Sequence, residues 1–369
     1  MNTYSKKLIH LVAAARPNFM KIAPLYHALV KDTWASPAII HTGQHYDLNM
    51  SDAFFHDLDL PKPHIYLNVG SGTHAEQTGK VMMAYEKILL DVRPDLVVVA
   101  GDVNSTMAAT IAAIKLGIKV AHLEAGLRSF DRTMPEEINR ILTDAIADLL
   151  WTPSPDADEN LLREGIAQSK IQMVGNIMID SLEMLRSSIE KEPIYSKFGL
   201  NQHSYGIVTL HRPANVDSPE ILEKLCRSLS NIAEKIPIVF PIHPRTMKNL
   251  QNYGLINILK EEPNLHLTEP MNYISFMNLI FNCAFAITDS GGIQEETTYL
   301  GIPCLTIRPN TERPITITQG TNRLCKIDEI QYLVNSILEK NPPKKNAPLF
   351  WDGKTADRVV SSIKQYLFS

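Results

Sequence analysis

Between an apolar segment at 284–287 and an amphipathic helical pattern stands Thr288-Asp289-Ser290-Gly291-Gly292-Ile293-Gln294-Glu295-Glu296. These residue types at this spacing suit an anion with a sugar beside it. Gly291 and Gly292 let the backbone approach a ligand, and the amides and positive dipole end of a starting helix favour a phosphate. Glu296, about one turn further in, offers a carboxylate to ribose hydroxyls. A plain strand-to-helix turn capped by Ser290 is the simpler alternative.

Other chemically able residues also fall where apolar runs end. Asp102 follows Gly101 after the run 96–100, where it either serves chemistry or caps the next helix. Glu124, within Ala121-His122-Leu123-Glu124-Ala125-Gly126-Leu127-Arg128, ends the run 120–123; a carboxylate there needs a partner or a function, and Arg128 is the structural candidate. Pro135-Glu136-Glu137-Ile138-Asn139-Arg140 opens a helix. Its two glutamates compensate the dipole, while Glu136 and Arg140, four apart on one face, suit an acid held beside a guanidinium. His211-Arg212 and His243-Pro244-Arg245 end two consecutive apolar runs, a pairing that suits an anion cleft. His41-Thr42-Gly43-Gln44-His45 superficially suggests a metal, but no HExxH or paired Cys/His spacing supports one.

The elements that must position these residues are legible. Apolar strand-like runs at 8–14, 38–41, 96–100 and 120–123, then 207–210, 238–242, 284–287 and 304–307, alternate with helical patterns. The implied fold class is α/β, two Rossmann-like doubly wound domains with ligands at the carboxyl ends of strands facing an interdomain cleft. We expect domains at 1–189 and 205–353, a charged linker at 190–204, and a C-terminal helix at 354–369 packing back on the first domain. Lys6-Lys7 and the run 8–15 imitate a short signal peptide, but His10 and the helical pattern after Arg16-Pro17 favour a buried first strand.

At 369 residues and 44% hydrophobic content the chain can bury two ordinary cores, and a net charge of -4 argues against a nucleic-acid surface. No window approaches the roughly 18 apolar residues of a membrane span. Cys226, Cys283, Cys304 and Cys325 lack CxxC spacing and read as reduced core residues of a cytoplasmic protein.

Taken together, Arg16-Pro17 with Lys21, Gly101-Asp102, His122 through Arg128, Pro135-Glu136-Glu137 with Asn139-Arg140, Thr209-Leu210-His211-Arg212, Asp289-Ser290-Gly291-Gly292 with Gln294-Glu295-Glu296, and Thr311-Glu312-Arg313-Pro314 resemble the non-hydrolysing UDP-N-acetylglucosamine 2-epimerases. The resemblance runs in order over about 8–325. It implies the glycosyltransferase-B architecture, a homodimer, and reversible epimerisation at carbon 2 of UDP-N-acetylglucosamine to give UDP-N-acetylmannosamine for polysaccharide synthesis. No nicotinamide or metal is implied. UDP leaves carbon 1 as carbon 2 loses its proton, 2-acetamidoglucal is held, and re-addition from the other face inverts carbon 2.

The resemblance makes Asp102, Glu124 and Glu136 acid/base candidates, with His211 beside the diphosphate as acid or electrostatic stabiliser. It surrounds the substrate with Arg16, Lys21, Arg140, His243 and Arg313, sets Ser290, Gly291 and Gly292 on the diphosphate, Glu296 on the ribose and Phe276 beside the uracil. Which carboxylate acts on which face stays open.

Departures from the family pattern carry expectations of their own. Ala14-Ala15-Arg16-Pro17-Asn18 replaces the usual Gly-Thr-Arg-Pro-Glu, so one loop contact differs. Gln44 is followed by Asp47 rather than a second glutamine, and Val69-Gly70-Ser71-Gly72-Thr73-His74 offers no arginine; weak or absent activation by a second substrate molecule is expected. The loop 41–45 with Asn49-Met50-Ser51-Asp52 also resembles relatives acting on UDP-2,3-diacetamido-2,3-dideoxyglucuronate, whose extra carboxylate His41 or His45 would meet. A hydrolysing epimerase or a nucleotide-sugar sensor without chemistry are the remaining alternatives.

Overall fold

The run beginning at Lys7 is too apolar to face water on either side, and in the computed structural model of the chain it is a central strand. The structure describes residues 6–43, 55–340 and 347–369. Two compact units emerge, Met1–Met184 with Leu349–Ser369, and Leu185–Pro348.

The first unit carries the parallel strands β1 (Lys7–Ala13), β2 (Ala35–His41), β3 (Ile65–Tyr66), β4 (Leu96–Ala100), β5 (Val120–Leu123), β6 (Leu149–Thr152) and β7 (Ile171–Met173), in the order β3-β2-β1-β4-β5-β6-β7. Every residue of β4 and β5 is buried, as strands covered by helices on both faces require. Strand order reverses between β1 and β4, which fixes a crevice at their carboxyl ends.

The second unit repeats the plan with β8 (Gly206–Thr209), β9 (Ile238–Pro241), β10 (Leu265–Thr268), β11 (Phe285–Thr288), β12 (Cys304–Thr306) and β13 (Asn322–Leu324), ordered β10-β9-β8-β11-β12-β13. Its reversal lies between β8 and β11. The helix Pro219–Ala233 shows how such a layer forms. Ser218 caps it by accepting from the Ile221 amide, Pro219 supplies a preset first turn, and Leu222, Leu225, Cys226, Leu229 and Ile232 recur at helical spacing on the buried face. Each such leucine contributes roughly 2 kcal/mol on burial.

The chain end returns to the first unit. Asp180 accepts from the amides of Thr355 and Ala356 at 3.1 and 2.8 Å, so a residue of an earlier helix caps the helix Thr355–Phe368. Trp151 donates its indole N–H to Ser362, and Trp351 donates to the Pro153 carbonyl. The apolar runs do not include β3, β6, β7, β10 and β13; these strands are short, and four of them form sheet edges where apolar periodicity is weak. No helix among the described residues is long and apolar enough to cross a membrane, and the four cysteines are buried thiols.

Candidate active site

At the β1 end of the first unit, Asn18 accepts from the amides of Ala14 and Ala15 at 3.4 and 3.1 Å and donates to the Ala100 carbonyl at 2.8 Å. It thus joins the tips of β1 and β4. A glutamate, the family's usual residue here, has no N–H for Ala100, which gives the substitution a physical consequence. Arg16 opens the helix Arg16–Val30 and is exposed, whereas Lys21, one turn on, is buried and pairs with Glu124.

Glu124 takes a left-handed backbone, φ 71°, which costs a residue bearing a Cβ about 1–2 kcal/mol. Its Oε2 meets Lys21, while its buried Oε1 has no hydrogen-bond partner. Gly101, also left-handed at φ 69°, makes room for this pair: a Cβ there would lie 2.7 Å from Lys21 Nζ. The loop is braced from beneath by His122, whose Nδ1 donates to Asp144 at 2.6 Å and whose Nε2 donates to the Gly101 carbonyl at 2.8 Å. Asp144 also receives the Gly126 amide and Arg128. Burial alone would raise the Asp144 carboxyl, but His122 and Arg128 hold it below the ordinary range. Arg128 therefore does not pair with Glu124; its guanidinium serves Asp144 and Glu164 instead.

Asp102, one residue past Gly101, is held by Arg140 and receives Asn139 on its carbonyl at 2.8 Å. The expected Glu136–Arg140 pair is replaced by Glu137–Arg140 at 2.5 Å. Glu137 is fully buried and also accepts from the Ser129 amide and hydroxyl and the Phe130 amide, each at 2.9 Å; Glu136 is exposed on the same helix, Pro135–Ile146. Spacing of three and spacing of four both bring side chains together on a helix, and packing chose three.

In the second unit, β8 and β11 are in register at Thr209 and Thr288, so the residues just beyond them meet. Asp289, fully buried, accepts from His211 Nδ1 at 2.9 Å, from the amides of His211 and Arg212, and from Asn215 at 3.0 Å. Burial would raise its carboxyl; these donors, His211 foremost, hold it low. The His243 ring lies 5.5 Å from that of His211, and burial, then His211 and Arg245, lower its imidazole. Arg245 itself turns away to Asp217.

Ser290 occupies the cap position of the helix Gly291–Leu300, yet its side chain makes no capping bond, so simple capping does not describe it. A Cβ at Gly291 would fall 2.8 Å from Arg313 Nη1 and 2.9 Å from Glu312 Oε1, whereas Gly292 faces open space. Arg313 is in turn set by Glu295 at 2.8 Å and by Glu312, whose second oxygen binds Arg308 at 2.8 Å. Glu296, buried one turn into the helix, accepts from the Tyr273 hydroxyl at 2.7 Å; Phe276 follows half-buried on the helix Tyr273–Asn282.

Residues 27–364 match the UDP-N-acetylglucosamine 2-epimerase family. This chain belongs to that family.

A UDP-N-acetylglucosamine 2-epimerase of Methanococcus maripaludis is 43% identical over 96% of this chain and 98% of its own length. The crystal structure of the Methanocaldococcus jannaschii UDP-GlcNAc 2-epimerase in complex with UDP-GlcNAc and UDP superposes with a TM-score of 0.88 at 42% identity, covering 97% of this chain and 99% of that one. The UDP-2,3-diacetamido-2,3-dideoxy-D-glucuronate 2-epimerase of Pseudomonas aeruginosa is 39% identical over 85% of this chain and 86% of its own length. The fold class of this epimerase-family chain is the expected pair of doubly wound α/β units.

Of the expected site residues of this epimerase-family chain, Lys21, Asp102, Glu124 and Arg140 lie among the tips of β1, β4 and β5. His211, His243, Ser290, Gly291, Gly292, Glu296 and Arg313 lie around β8, β9 and β11. Gln44, His45, Asp47 and Asn49-Met50-Ser51-Asp52 fall outside the described residues. His41 stacks on Phe19 at 5.0 Å, and burial lowers its imidazole, a poor setting for meeting an added carboxylate. Sequence reasoning gives Asp289, Tyr273 and Asp144 no part, and Glu137 only dipole compensation. Asp289 stood inside the quoted motif, but only strand register reveals its partner.

Proposed function

We propose that the chain interconverts UDP-N-acetylglucosamine and UDP-N-acetylmannosamine by eliminating UDP to form 2-acetamidoglucal and adding it back. The observation that carries this reading is the pair of cation-held carboxylates at neighbouring strand tips, Asp102 with Arg140 and Glu124 with Lys21. Proton removal and return at carbon 2 needs an acid and a base, and their different surroundings set Asp102, part-exposed, apart from buried Glu124. In this reading Glu136 joins them, His211 faces the leaving diphosphate, Ser290, Gly291, Gly292 and Arg313 hold it, and Glu296 takes the ribose with Phe276 beside the base. Arg16 and His243 add positive or hydrogen-bonding groups. No cofactor is involved, and a second substrate molecule activates weakly or not at all.

The test is proton NMR with UDP-N-acetylglucosamine in deuterated buffer. Carbon-2 deuterium appearing in both UDP-sugars supports the reading. Free N-acetylmannosamine plus UDP would mark a hydrolysing enzyme, exchange only with the diacetamido-glucuronate would mark that relative's activity, and binding without exchange would mark a sensor.

The reading includes a cytoplasmic homodimer making a sugar nucleotide for polysaccharide synthesis. Buried free thiols fit a reducing compartment. The helix Pro135–Ile146 is amphipathic in the reverse sense: Glu137, Asn139, Arg140, Thr143 and Asp144 are buried, while Ile138, Leu142 and Ile146 are exposed at 45, 44 and 37%. A second copy covering that outward stripe accounts for its composition.

A further inference from the structure

His211 and Asp289 stand at the tips of β8 and β11, the neighbouring strands between which the order of the second sheet reverses. A histidine offered to a leaving group has two nitrogens and, when neutral, one proton between them, so something must decide which nitrogen faces the chemistry. We propose that Asp289 is the positioning residue of His211: its carboxylate holds Nδ1–H, leaving Nε2 as the nitrogen presented to the departing diphosphate. The inference deepens the epimerase reading above and rests on it for the identity of the leaving group.

The geometry supplies the means. Asp289 Oδ1 lies 2.9 Å from His211 Nδ1, and Asp289 is itself immobilised by the His211 and Arg212 amides and by Asn215. Asn215 also donates to the Ile307 carbonyl at 3.0 Å, which anchors it to the end of β12. The carboxylate is therefore fixed before the imidazole meets it, and it has no hydrogen to give when ionised. The His211 side chain is 38% exposed while that of Asp289 is wholly buried, so one ring nitrogen is committed inward and the ring retains an open side. When the bond between carbon 1 and the diphosphate oxygen breaks, its electron pair goes to that oxygen. With His211 entering as the imidazolium, Nδ1–H on Asp289, the proton on Nε2 passes to that oxygen and leaves the neutral Nδ1–H tautomer; the same Nε2 takes the proton back when the oxygen attacks carbon 1 in return. Asp289 keeps its own charge throughout and touches only His211 and the protein.

The neighbouring His243 does not compete for this part. Its Nδ1 accepts from the Arg245 amide at 3.2 Å, and Asp289 acts on it only electrostatically. Because Asp289 also braces backbone amides, the experiment has to separate orientation of the imidazole from support of the loop.

Two measurements on the full-length protein do so. In nitrogen-15 histidine NMR, neutral His211, assigned with a His211→Asn variant, is expected as the Nδ1–H tautomer both free and with UDP bound; the Nε2–H tautomer overturns the proposal, and this readout needs no Asp289 variant to fold. In a double-mutant cycle on carbon-2 deuterium exchange, Asp289→Asn is expected to slow exchange about 100-fold in the native background. In the His211→Asn background it is expected to add less than about twofold, with UDP affinity kept within a few-fold, because coupled residues are not additive. An equal loss in both backgrounds assigns Asp289 to loop support and overturns the proposal. Absence of exchange in the unmodified protein would instead count against the epimerase reading, and the tautomer measurement would still decide the pairing.

Discussion

Arg140 reaches one oxygen of Asp102 with two nitrogens, Nε at 3.1 Å and Nη2 at 2.8 Å, while Glu137 holds its Nη1 at 2.5 Å. The carboxylate at the β4 tip is thereby oriented by a helix whose start lies more than thirty residues further along the chain. Lysine cannot reproduce that fork. Arg140→Lys is expected to cost about 1–3 kcal/mol, read by urea unfolding, since a buried hydrogen-bond partner is left short. Carbon-2 exchange is expected to fall at least tenfold; unchanged exchange would show that Asp102 does not depend on this grip.

Gly101 is the second test of the same corner. Alanine there meets a left-handed backbone and an atom 2.7 Å away on Lys21. Gly101→Ala should destabilise by about 1–2 kcal/mol and displace the Lys21–Glu124 pair, lowering turnover more than UDP affinity. Equal effects on both would point to general loosening.

Acid sensitivity is expected from His10. Burial, and then His64, lower its imidazole to about 4, and its Nδ1 lies 3.0 Å from the Tyr85 hydroxyl. Between the unfolded value of about 6.5 and the folded one, the unfolded chain binds the extra proton. Its effect is therefore absent above about pH 6.5, and stability falls as the pH drops toward 4, by on the order of 3 kcal/mol. His10→Gln keeps a polar partner for Tyr85 and should flatten the pH dependence of urea midpoints; an unchanged slope would assign the sensitivity elsewhere.

The outward stripe of the helix Pro135–Ile146 predicts an oligomer that one charge can break. Leu142→Glu should halve the mass seen by light scattering while leaving the far-ultraviolet dichroism intact. A monomeric unmodified protein would remove this part of the reading.

The residues themselves announced much of this. Parallel strands buried on both faces are continuous apolar runs, so β1, β4, β5, β8, β9, β11 and β12 were legible, and the residue just past each run was a justified site candidate. Glycines beside Asp102 and Ser290 marked turns that leave a side chain or an amide facing a ligand. The motifs also carried the family.

Partnership was not legible. Sequence spacing allowed Glu136 with Arg140 and Glu124 with Arg128; the folded chain instead pairs Arg140 with Glu137 and Asp102, and Glu124 with Lys21, 103 residues away. Asp289 finds His211 across 78 residues because two strands lie in register. Local periodicity determines which element a residue belongs to and which end of it the residue occupies. Which charge faces which is decided only when sheets align, since an ion pair is set by distance in space and by what else has been buried around it.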